Sequence, residues 1–68
     1  MVTPEVFNSA VALKSETAGI ATRMQLLADN ASKEADVSQP DKAALAKAAQ
    51  QSAGIAAVVA KFADELAK

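Results

Sequence analysis

Ser38-Gln39-Pro40-Asp41 lies between two long stretches of heptad-spaced apolar residues and decides how they are arranged. Ser38 and Asp41 stand at the spacing of a helix N-terminal capping box. Pro40 suits the start of a helix and biases Gln39 away from helical geometry, which interrupts whatever precedes it. The pattern predicts a short turn over 36–39 and a second helix over about 40–67. Upstream, Thr3-Pro4-Glu5 follows the same grammar. Thr3 caps free N–H groups, Pro4 takes the first helical position, and Glu5 favours the positive end of the helix dipole. A first helix is therefore expected over about 4–35. Two helices joined by so short a turn pack as antiparallel neighbours. The expected fold is all-α, an antiparallel two-helix hairpin forming a single domain over 1–68.

The apolar periodicity supports this reading. Val6, Ala10, Leu13, Thr17, Ile20, Met24, Leu27 and Ala31 alternate spacings of four and three, as do Leu45, Ala48, Ser52, Ile55, Val59, Phe62 and Leu66. Both are heptad a/d stripes. Folding the chain at the turn pairs Ala31 with Leu45, Leu27 with Ala48, Met24 with Ser52, Ile20 with Ile55, Thr17 with Val59, Leu13 with Phe62 and Ala10 with Leu66. Most layers set a small residue against a large one, so facing side chains interdigitate. These residues are the expected hairpin interface, with Ile20 and Ile55 at its waist.

A second stripe runs beside the first. It comprises Phe7, Val11, Ala18, Ala21, Ala28, Ser32 and Ala35 on one helix, interrupted by Lys14 and Gln25, and Ala46, Ala49, Ala53, Ala56, Ala60, Ala63 and Ala67 on the other. Together the stripes cover an arc of about 160° at roughly 100° per residue, wider than one partner helix covers. The second stripe is the expected oligomer interface. The simplest closed product is a homodimer forming a four-helix bundle. In this scheme Ile20→Asp or Ile55→Asp collapses the fold, whereas Ala53→Glu or Ala56→Glu splits the oligomer.

Thr17-Ala18-Gly19-Ile20-Ala21 recurs 35 residues later as Ser52-Ala53-Gly54-Ile55-Ala56. The offset is five heptads, so stripes and caps stay in phase. It also relates two acid-first i,i+4 pairs, Asp29–Lys33 and Asp64–Lys68, an order favourable on a helix. Gly19 and Gly54 each cost about 1 kcal/mol in a helix interior. A close approach by another chain or a kink would justify them; tolerated weakness in a well-packed rod is the plainer reading.

Composition narrows the chemistry. The chain has 68 residues and a net charge of −1, and lacks Cys, His, Trp and Tyr. Ala supplies 18 residues, leaving only 17 large apolar side chains for a core. A domain of this size with so few is marginal alone, which makes association the expected route to stability. Without His or Cys the common nucleophile–base pairs and zinc sites cannot be built. Neither catalysis nor a cofactor or metal is expected. Asp36 and Asp41 flank the turn as a loop residue and a cap. The Asn30-Ala31-Ser32 acceptor pattern falls inside a helix. The longest uncharged run, Ala48 to Ala60, is too short to span a bilayer, and no secretory signal is visible, so a cytoplasmic location is expected.

The expected role is a non-catalytic helical-hairpin module for protein–protein interaction or structure, acting as a homo-oligomer. Leu26 and Val58, outside both stripes, are a candidate docking patch with Ala12 or Ala57. Val2, Val6, Phe7 and Val11 are a second candidate, and core or dimer packing is the plainer reading there. One alternative is a small RNA-binding regulator using Lys47, Lys61 and Lys68, which share a helical column with Lys33 as their counterpart. Near-neutral charge and the neighbouring Asp64 and Glu65 weigh against nucleic acid. Another alternative is a subunit or chaperone of a larger helical assembly, such as a secretion or phage structure. The layering of small against large residues along both helices resembles the plasmid-encoded RNA-binding hairpin dimers of the ROP type. That resemblance implies a four-helix bundle and raises the RNA reading, and it rests on no specific motif.

Overall fold

A computed structural model describes residues 2–68 as two α-helices, α1 (Pro4–Ser32) and α2 (Gln39–Leu66), lying side by side in an antiparallel hairpin. The molecule is a rod of 52 × 15 × 13 Å. Both starts form as their sequences dictate. The Thr3 hydroxyl accepts from the Val6 N–H at 3.3 Å and the Ser38 hydroxyl from the Asp41 N–H at 3.2 Å. Each satisfies a backbone donor that the helix leaves free.

The helix ends differ from expectation. α1 stops at Ser32 rather than near residue 35, and the connection is residues 33–38. The i→i−4 ladder gives way there to tighter bonds. The N–H of Lys33 donates to the Asn30 carbonyl at 3.2 Å and that of Glu34 to the Ala31 carbonyl at 3.1 Å. The Ser32 hydroxyl donates to the Asp29 carbonyl at 2.6 Å. No basic residue lies in the last turn, while Glu34 and Asp36 would bring negative charge to the negative end of the dipole. Prolonging α1 would therefore be unfavourable. α2 likewise ends at Leu66, one residue early. Lys33 and Lys68 thus fall outside regular helix, and among the described residues neither the Asp29–Lys33 nor the Asp64–Lys68 pair forms. Asp29 instead accepts from the Gln25 side-chain amide at 2.9 Å, and Asp64 from Lys14 across the hairpin at 2.6 Å.

The line of contact between the helices is made of alanine. Ala10, Ala28 and Ala31 of α1 and Ala49 and Ala63 of α2 are the buried residues. Thr17, Ala21 and Met24 on one side, and Leu45, Ala48, Ser52, Ala56, Val59, Ala60 and Leu66 on the other, are partly buried around them. The seam therefore draws alternate members from both stripes. Relative to the expected layers, each helix is turned by about 50°, one heptad position.

This corrects the expected division of labour. Leu13, Ile20, Leu27, Ile55 and Phe62, assigned to the hairpin interface, are 45%, 53%, 50%, 57% and 47% exposed. Ala28, Ala49 and Ala63, assigned to an interface with another chain, are buried inside this one. The reason is steric. Methyl side chains let two backbones approach closely and gain dispersion contacts along the whole seam, whereas Leu, Ile or Phe there would hold the helices apart. Leu13, Ile20, Leu27, Ile55 and Phe62 are displaced to the margins, while Met24, Leu45, Val59 and Leu66 stay partly buried.

Thr17 tolerates a place near the seam because its hydroxyl donates to its own helix, to the Leu13 carbonyl at 2.8 Å. Among the described residues no buried side-chain polar atom lacks a partner. Tight alanine packing carries a consequence for mutation. Ala63→Leu, at 3% exposure, is expected to destabilise the hairpin by about 1–3 kcal/mol. Ala57→Leu, on the exposed surface, should stay within about 0.5 kcal/mol. Thermal unfolding of the two variants checks the contrast.

Candidate functional site: an exposed apolar face

Displacing the bulky residues creates two unlike sides. Val6, Leu13, Ile20 and Leu27 recur every seven residues along α1, so they share one side of that helix. Ile55 and Phe62 hold the equivalent position on α2, followed by Val58 one step further from the seam. Val6, Leu13, Val58, Val59 and Phe62 line a common apolar groove at the open end of the hairpin. A shallower depression beside Gln51, Gly54 and Ile55 continues it towards the middle. The shared groove and the seven-residue spacing thus put these large residues on one side of the hairpin.

The opposite side carries small residues, with Ala18 and Gln25 on α1 and Ala46 and Ala53 on α2, all exposed. Val11 lies there at 46% exposure. Lys14 reaches across this side to Asp64; the two side chains are 45% and 63% exposed. A pair so open to water contributes at most about 1 kcal/mol. Its main value is as a marker of register, since it sets residue 14 beside residue 64.

The residues singled out from sequence fall apart in space. Val58 is 70% exposed and rims the groove, but Leu26 points directly away from the seam and does not join it. Val6 belongs to the large face, while Phe7 and Val11 lie towards the other side. Lys47 and Lys61 are exposed along the outer edge of α2. Among the described residues no group of three His, Cys, Asp or Glu gathers as a metal site, and no helix is long and apolar enough to cross a membrane.

The extent of exposed surface is the notable physical quantity. The chain exposes 5059 Å², whereas a compact folded chain of 6.9 kDa exposes about 4,000 Å². The excess of about 1,000 Å² goes with eleven large apolar side chains that are at least 36% exposed. Sequence reasoning turned Leu13, Ile20, Leu27, Ile55 and Phe62 inward, whereas it left Leu26 and Val58 outside both stripes. The overlooked signal is the set of small residues spread over alternate members of the two stripes: Ala10, Ala21, Ala28 and Ala31 on α1, and Ala49, Ala56 and Ala63 on α2.

Gly19 and Gly54 have nothing within 4 Å of the position a Cβ would occupy, and neither has a positive φ. Close packing within the chain does not explain them. Gly19→Ala and Gly54→Ala are each expected to stabilise the protein by up to about 1 kcal/mol through helix propensity and a less flexible unfolded state. A denaturant titration reads the shift directly. No family model, curated protein or solved structure matches this chain.

Proposed function

We propose that this chain is a non-catalytic interaction module that works as a homo-oligomer, using the apolar face as its contact surface. The observation that carries this reading is the exposure of Leu13, Ile20, Leu27, Ile55 and Phe62 on one side of a rod whose own core is five alanines. Alanine burial yields little transfer free energy per residue, so the hairpin alone is a weak fold. Covering the bulky face supplies the missing burial. Folding and association then form one equilibrium, as in obligate oligomers without a stable lone subunit.

A concentration series checks this. Mass in solution is expected to exceed that of one chain at micromolar concentrations, and the melting midpoint to rise with concentration. Ile20→Asp is expected to weaken association by roughly tenfold or more, making helix content strongly concentration-dependent. This replaces the expectation that a charge at Ile20 acts by breaking the hairpin core. A single-chain mass and a concentration-independent melt across the series would overturn the proposal.

A further inference from the structure

The apolar face carries enough detail to specify how a second copy sits on it, an inference that rests on the self-association proposed above. We propose that a second copy covers this face with its turn at the opposite end. A two-fold axis then passes between the two Ile20 side chains and between the two Ile55 side chains.

Exposure is the first argument. Leu13, Ile20, Leu27, Ile55, Val58 and Phe62 are each at least 45% exposed on this one side, a contiguous apolar patch of the kind that marks a protein contact surface.

Level is the second. Leu13 and Phe62 line the same groove, and Ile20 and Ile55 each lie seven residues nearer the turn, so the two isoleucines fall near the same height. One axis therefore serves both helices, each lying antiparallel on its own copy. Residues equally far from Ile20 on either side meet across the axis, and likewise for Ile55.

Shape is the third. Leu13 and Leu27 lie seven residues either side of Ile20, and Ala48 and Phe62 seven either side of Ile55. Leu13 thus faces the second copy's Leu27, and Phe62 faces the second copy's Ala48, a large side chain against a small one. With the turns at the same end, Phe62 would instead crowd Leu13 while Ala48 faced Leu27, overfilling one end and leaving the other loose.

Charge is the fourth. Glu16 and Arg23 lie on the outer margin of the same face, four residues before and three after Ile20. Among the described residues neither makes an ion pair. Across the axis Glu16 approaches the second copy's Arg23, and the symmetry repeats the pair. In the same-end arrangement Glu16 would meet Val58 and Arg23 would meet Gln51. Within one chain Glu16 and Arg23 are two turns apart, too far to pair directly.

Charge exchange and cross-linking test the arrangement. Glu16→Arg alone and Arg23→Glu alone should each weaken self-association roughly three- to tenfold. The double exchange should restore it, and mixing the two single variants should favour mixed pairs over either self-pair. Because the chain has no cysteine, single-cysteine variants report contacts cleanly. A short bismaleimide should join Leu13→Cys chains to Leu27→Cys chains in a mixture. Linkage of Leu13→Cys to Phe62→Cys, linkage through Ala18→Cys or Ala53→Cys, or failure of the double exchange to recover association would overturn this arrangement while leaving self-association standing. A single-chain mass at all concentrations would remove both.

Discussion

Close contact between alanine methyls holds this hairpin together, and the rest of the structure follows from it. A seam centred on Ala10, Ala28, Ala31, Ala49 and Ala63 lets the two backbones approach more nearly than a leucine core would. The gain is dispersion along the length of a rod rather than burial of bulky side chains. Such a seam is narrow, so it selects one rotational setting of each helix and leaves the broader residues outside it.

The displaced residues give the molecule its two-sided character. One side presents Leu13, Ile20, Leu27, Ile55 and Phe62; the other presents alanines spanned by the Lys14–Asp64 pair. A fold whose interior is alanine and whose margin is leucine, isoleucine and phenylalanine has inverted the usual placement by size. The proposed association would restore the usual placement, because the margin of one hairpin would become the centre of a four-helix assembly. Self-recognition and stability would then draw on the same side chains.

The 35-residue repeat acquires a structural meaning in this setting. Because the offset is a whole number of heptads and the helices run antiparallel, equivalent residues take equivalent places about the middle of the hairpin. Ile20 and Ile55 both fall near the waist, on the same side. A face with this approximate symmetry suits pairing with its own copy, since an isologous contact requires a patch complementary to itself. Sizes and charges on the face differ between its ends, with Val6, Leu13 and Phe62 at the open end and Ala48 near the turn, and this asymmetry distinguishes one orientation of the pair from the other.

Local chemistry was legible without coordinates. Thr3 and Ser38 cap the helices as their neighbours Pro4 and Pro40 imply, because capping depends only on residues within one turn. The antiparallel hairpin likewise follows from heptad phase and a short connection. The end of α1 was less legible, since Ala35 and Glu34 are good helix formers; dipole repulsion and the reversal of the chain stop the helix at Ser32. Which stripe faces which was decided only in three dimensions. Both stripes have the same period, and periodicity reports which residues share a side but not how near two helices can come. That distance depends on side chains from both helices at once, and with alanine available on each, the closest approach prevails.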